Sequence, residues 1–118
     1  MIQTKPALEP KKPSDGYRIL IEPEWPKGLP TGKAAGVDWM KPLYPSRNLQ
    51  DWMRRNPRKG EGFRDRYLLE LAQKEAEVEK VCRMLAERGT VTILTVPVDG
   101  PWEIHETLVR YLRATCGG

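Results

Sequence analysis

This chain has little with which to hold a metal or cross-link itself. Its 118 residues include two cysteines, Cys82 and Cys116, and one histidine, His105. A zinc centre draws most of its ligands from Cys and His, and three such residues at these spacings do not make one. No metal and no cofactor are therefore expected. The cysteines form no Cys-x-x-Cys pair. Cys82 falls inside a helical pattern and reads as a small core residue. A bond to Cys116 would require an oxidising compartment.

Other absences narrow the field further. No stretch approaches the roughly 18 consecutive apolar residues of a membrane helix. Met1 is followed by Ile2, Gln3, Thr4 and Lys5 rather than by an apolar run, so no leader and no membrane partner are expected, and the cytoplasm is the expected location. There is no Gly-rich phosphate loop, no dinucleotide fingerprint, no recognised nucleic-acid module and no internal repeat. Ten Gly and eleven Pro, without a period, exclude a collagen-like chain. What remains is one modest domain, 39% hydrophobic and 31% charged.

Charge is distributed unevenly. Residues 1–60 carry 12 Lys/Arg against 6 Asp/Glu, whereas residues 61–118 carry 8 against 10. The formal net charge of +4 thus comes from the first half. Within it, Arg54, Arg55, Arg58 and Lys59 lead into Arg64 and Arg66, opposed by Glu61 and Asp65. Asn56, Pro57 and Gly60 place part of this window in a loop at a helix start, where backbone N–H groups also attract anions. Trp52 and Phe63 flank it, and aromatics beside cations can stack on bases. The plain alternative is a solvated connection between helices, with both aromatics facing the core.

Proline divides the chain, nine of eleven falling before residue 60. Residues 1–16 read as an arm rich in Pro and Lys. Within it, 1–4 are able to form an edge strand, and 5–16 should be extended and exposed. Residues 17–115 read as a single α/β domain, and 116–118 as a frayed tail. Tyr17 to Ile21 is the first clear strand, and Ile19, Leu20 and Ile21 run together as in a strand covered on both faces. The loop from Glu22 to Gly32 holds three prolines and two glycines and should be irregular. A helical turn is expected around Val37 to Met40.

Ser46 should cap a helix reaching about Arg55, with Leu49, Trp52 and Met53 as its apolar stripe. Phe63, Tyr67 and Leu71 are spaced by four, so a long helix starts near Glu61, with a break between Gln73 and Glu77. Arg88 and Gly89 end its second part. Val91 to Val96 is the second clear strand. Asp99 or Gly100 should cap the last helix, Pro101 should be its first residue, and Ile104, Leu108, Tyr111 and Leu112 its buried stripe.

A helical crossover between two strands most often joins parallel neighbours, so the expected fold is a small, largely parallel sheet of few strands with helices packed on it. Ligands of such sheets sit beyond the carboxyl ends of the strands. Two loops leave those ends. One carries Glu22, Glu24, Trp25 and Lys27; the other carries Asp99, Trp102 and Glu103, with His105 one turn on. If Ile21 and Val96 lie side by side, these groups converge. Glu22, Asp99, Glu103 and His105 are then the candidate catalytic residues, as a carboxylate pair or a proton carrier. Capping by Asp99 and rim packing by Trp25 and Trp102 explain the same residues without chemistry.

The stretch Tyr17-Arg18-Ile19-Leu20-Ile21-Glu22-Pro23-Glu24-Trp25-Pro26-Lys27-Gly28 resembles the opening signature of the small YeaO-like proteins, the domain of unknown function 488 family. Three later blocks agree in order and spacing: Pro45-Ser46 through Leu49 to Trp52, Phe63-Arg64-Asp65-Arg66-Tyr67, and Gly89 to Leu94 followed by Asp99. The resemblance covers roughly residues 16–113. Typical members read Asp-Arg-Leu-Trp-Pro-Arg-Gly where this chain has Glu22 to Gly28, so an Arg is replaced by Pro23 and Glu24 is new. They also carry His-Asn-Asn-Ala where this chain has Trp102, Glu103, Ile104 and His105. The resemblance implies a divergent member whose polar cluster has been rewritten, and it brings no reaction with it.

Three functional expectations follow. The first is a protein that binds an anionic small molecule or nucleic acid through Trp25, Lys27, Trp102, Arg54, Arg55, Arg58, Lys59 and Arg64. The second is a small enzyme working from the strand-end acids. The third is an interaction protein without catalysis, its sheet edge or exposed tryptophans pairing with another copy as a homodimer.

Overall fold

The computed structural model describes residues 1–117. Four strands form one parallel sheet: β1 (Ile2–Pro6), β2 (Tyr17–Leu20), β3 (Val37–Trp39) and β4 (Val91–Thr95). Their spatial order is β1-β4-β2-β3. The last strand of the chain thus lies between the first two, with Ile2 and Tyr17 both opposite Val91. Four helices complete the fold: α1 (Arg47–Arg55), α2 (Gly60–Ala72), α3 (Glu75–Arg88) and α4 (Ile104–Cys116). The α/β class and the parallel pairing of the two clear strands agree with the sequence reading.

The central strands are apolar on both faces because both faces are covered. Ile19, Ile21, Val91 and Ile93, with Ile2 from β1, face a core built from all four helices, including Leu49, Phe63, Tyr67, Val81, Leu108 and Leu112. Ile93 is fully buried, which contributes about 2 kcal/mol. Leu20 and Leu94 alternate to the other face and meet Ala7 and Leu29 in a second, smaller core. That face is covered by the N-terminal arm and the β2–β3 loop, not by helices.

Several local expectations hold for identifiable reasons. The Ser46 hydroxyl accepts the Leu49 N–H at 3.1 Å and caps α1. Glu70 of α2 in turn accepts the Ser46 N–H at 2.9 Å and its hydroxyl proton, tying α1 to α2. The helical region breaks at Gln73 and Lys74, between α2 and α3. Gly89 ends α3 at φ 75°, a conformation that costs glycine least.

Other expectations are overturned. Val37–Trp39 is an edge strand rather than a helical turn; its Val and Trp suit a pleated edge, and short 3₁₀ turns lie on either side at Lys33–Ala35 and Lys41–Leu43. The arm is not exposed throughout: Lys5 pairs within β1, and Ala7 and Asp15 are buried. Neither Asp99 nor Gly100 caps α4, and Pro101 is not its first residue. The helix starts at Ile104, after Glu103 at φ 51°, because Trp102 first turns inward to meet Phe63 edge-on at 5.5 Å. Cys82 is not a free core thiol but is bonded to Cys116, joining α3 to α4. Of the residues expected in a frayed tail, Cys116 instead closes α4 and Gly117 is its cap. The end of that tail, residue 118, lies outside the described residues.

Candidate functional site

The parallel pairing of β2 and β4 brings their carboxyl ends to one rim, and the loops leaving them meet there. Glu22, two residues past β2, and His105, in the first turn of α4, are both buried. Glu22 Oε1 and His105 Nε2 lie 2.5 Å apart, a contact across 83 residues of sequence. The Glu22 carbonyl also accepts the indole N–H of Trp39 at 2.7 Å, which fixes the start of the loop. Half-buried Tyr44 stands close enough that burial first, and then the Glu22 charge, hold its phenol above its ordinary value. Tyr67 is pushed well above its ordinary value by burial, with Tyr44, Glu70 and Glu22 adding to it; its hydroxyl donates to the Leu43 carbonyl at 2.5 Å. Both tyrosines are thus neutral at physiological pH.

The other acids expected at this rim do not join the pair. Asp99 is exposed and lines a cleft of about 400 Å³ with Tyr44, Gln50, Met53, Arg54 and Trp102. Glu103 is exposed and pairs with Arg64 at 3.4 Å. Trp25 packs on the second core, its indole N–H donating to the Leu29 carbonyl at 2.9 Å and its ring standing edge-on to Trp39 at 5.2 Å. Trp102 is buried. It still presents an edge to the Asp99 cleft. Chemically, the rim offers one buried acid–imidazole pair, with His105 also lining a cleft of about 420 Å³ beside Thr4, Thr95 and Val98.

The basic window forms a separate and larger cleft, of about 680 Å³. Arg58, Lys59, Arg64 and Arg66 line it, together with Trp52 and the first turn of α2 from Gly60 to Gly62. The first intrahelical bond of α2 is donated by Phe63 to the Lys59 carbonyl at 3.0 Å, so the three N–H groups before it have no helical acceptor. The Arg66 guanidinium lies 4.2 Å over the Trp52 ring and donates to the Gly62 carbonyl. Gly62 lets the helix pass close to this ring, since a Cβ there would lie 3.2 Å from the Trp52 ring and press it aside by a few tenths of an ångström. Of the other candidates, Arg54 pairs with Asp51 outside this cleft. Arg55 is exposed, and Lys27 is exposed on the β2–β3 loop; neither lines the cleft.

Sequence reasoning missed a third group. Lys5, Asp15 and Arg18 are buried together on the sheet face away from the helices. The signal was present: Arg18 interrupts an otherwise apolar strand expected to be covered on both sides, and a covered charge needs a partner.

Comparison with known proteins agrees with the resemblance read from the strand and loop blocks. A family described as the inactive DUF488-N3 subclade matches residues 1–115. The uncharacterized protein YeaO of Escherichia coli (strain K12) is 36% identical over 93 residues, covering 79% of this chain and 80% of the relative. The uncharacterized protein Mb3100c of Mycobacterium bovis is 34% identical over 83 residues, 70% of this chain and 69% of that protein. No solved structure matches. The chain belongs to the DUF488 family, within the subclade described as inactive.

Proposed function

We propose, with that membership as the premise, that this protein is a non-catalytic binding module for a phosphate-bearing ligand, seated in the cleft at the start of α2. The carrying observation is that the roomiest of the clefts described above is also the cationic one, with Arg58, Lys59, Arg64 and Arg66 around three acceptor-free backbone N–H groups. Phosphate oxygens suit such a site because guanidinium forks and helix-start N–H groups both donate to them. The Trp52 ring gives the cleft an apolar wall, against which a base or sugar could rest. Glu61 at the rim disfavours ligands carrying more charge than the cations offset. The description of the subclade as inactive favours binding over turnover.

Titration with inorganic pyrophosphate and with a short single-stranded oligonucleotide at rising salt tests this. Affinity should fall as salt rises, and Lys59→Glu should weaken binding by roughly tenfold or more. Lys27→Glu changes the net charge equally but lies outside the cleft, so it should change little. Equal losses for the two variants, or binding indifferent to salt, would defeat the reading.

A second reading, a small hydrolytic or proton-transfer enzyme, is favoured by one observation, the buried Glu22–His105 pair at the strand ends. It requires a turnover that His105→Gln abolishes while the fold persists.

A further inference from the structure

The charged group on the sheet face away from the helices does not balance. Lys5, Asp15 and Arg18 are 8%, 3% and 4% exposed. The Asp15 carboxylate accepts from Lys5 Nζ at 3.0 and 2.9 Å and from the Lys12 N–H at 3.0 Å. Although burial opposes its ionisation, these bonds and the charges of Lys5 and Arg18 hold Asp15 below its ordinary value, so it is an anion at neutral pH. Lys5 Nζ also donates to the Pro10 carbonyl at 2.6 Å. Arg18 is served less well. Its Nη1 donates to the Ala35 carbonyl at 2.7 Å, the one protein hydrogen bond of the guanidinium among the described residues. Its Nε is buried 3.7 Å from Asp15, too far for a hydrogen bond, and has no partner.

Two buried cations therefore share one buried anion. The other buried acid among the described residues is Glu22, which is held by His105. A buried donor without an acceptor and a surplus positive charge are both costly, and folded proteins seldom keep them without a use. Arg18 also lines a cleft of about 350 Å³ between the N-terminal arm and the β2–β3 loop. Its walls are mainly apolar, from Ala7, Leu8, Leu29 and Ala35. Glu9 and Lys11, of opposite charge, also line it. Leu8 is 64% exposed there, a large apolar side chain facing a cleft rather than a core. A concave, mostly apolar space of this size with one convergent polar group has the make-up of a small-molecule site.

We propose that this cleft binds a small monocarboxylate with an apolar body. The carboxylate takes the Arg18 Nη N–H groups that the Ala35 carbonyl does not use, and the hydrocarbon rests against Leu8, Leu29 and Ala35. A carboxylate fits better than a phosphate for two reasons. The surplus to be neutralised is a single charge, and the apolar walls would leave a second charge and its hydration uncompensated. This site is distinct from the cationic cleft at α2 and does not depend on it.

The test titrates the full chain with hexanoate and benzoate, with hexanol as the uncharged control, following amide NMR shifts. Saturable shifts should appear on the arm and the β2–β3 loop for both acids, with hexanol at least about tenfold weaker. Ala34→Phe fills the cleft from an exposed position and should abolish binding while leaving thermal stability unchanged. Arg18→Gln should lose the preference for acid over alcohol, and because it alters the buried cluster it is scored only if the folded spectrum is retained. Lys59→Glu should leave carboxylate binding as it was, so failure here and failure of the phosphate reading are told apart. Equal affinity for hexanoate and hexanol, unchanged binding by Ala34→Phe, or no saturable binding of either acid would overturn the proposal.

Discussion

The two faces of the sheet are made differently. The helix-side face is a continuous apolar core in which strand residues meet side chains projecting from four regular helices. The opposite face has four core residues, three buried charged side chains and a cover of irregular chain. Regular helices satisfy their own backbone and can bury an apolar stripe without further provision. An arm and a loop must find partners for each carbonyl and N–H, and here charged side chains supply them: Lys5 serves Pro10, and Arg18 serves Ala35. The helix side therefore carries stability, and the loop side carries unsatisfied potential that a ligand could use.

Removing core volume from each side should expose that contrast. Ile93→Ala opens a cavity under rigid helices and should lose about 4 kcal/mol in urea unfolding, whereas Leu94→Ala, under a cover able to settle, should lose nearer 2 kcal/mol. Equal losses would mean that the loop cover is as unyielding as the helices. The Cys82–Cys116 bond is the next test, because it staples only the helix side. With a sequence separation of 34, it should contribute about 3–4 kcal/mol, so Cys82→Ser should fall below the oxidised wild type by that amount and match the reduced one.

The buried polar pairs give the third comparison. His105→Leu leaves Glu22 buried without its partner and should cost about 3 kcal/mol at neutral pH, partly recovered when Glu22→Gln is added in the double variant. On the other face, Asp15 supplies an acid-dependent increment. Its folded value lies below the ordinary 3.8, so its contribution is complete above that value and is lost as pH falls through the lowered one. Wild type should therefore show a steeper loss of stability below about pH 4 than Asp15→Asn does. The smallest effect should be Arg54→Ala, which removes an exposed pair with Asp51 and should stay within about 0.5 kcal/mol.

Much of the helix side was legible in the sequence because its information is local. The Leu49 and Met53 spacing, the Phe63-Tyr67-Leu71 repeat, the Ser46 cap and the Gly89 stop each act within a few residues, and each lies where its pattern places it. The loop side was legible only in outline. A three-residue strand such as Val37–Trp39 leaves too few positions for a period to show, and Trp102 delayed α4 because its burial against Phe63 outweighed the helix-start signal of Pro101. At the site, Glu22 and His105 were named as candidates, but that the two would form a pair, with Asp99 and Glu103 left outside it, was not visible.

Composition and spacing alone determined that this chain has a small α/β fold, with most of its cations before α2 and its two clear strands parallel. These follow from short-range sterics and from the reach of a helical crossover. Only the tertiary structure decided which charges are buried, that the two cysteines meet, and that the Arg18 Nε lacks an acceptor. Those outcomes depend on contacts between residues tens of positions apart, and their energies arise only once water has been excluded.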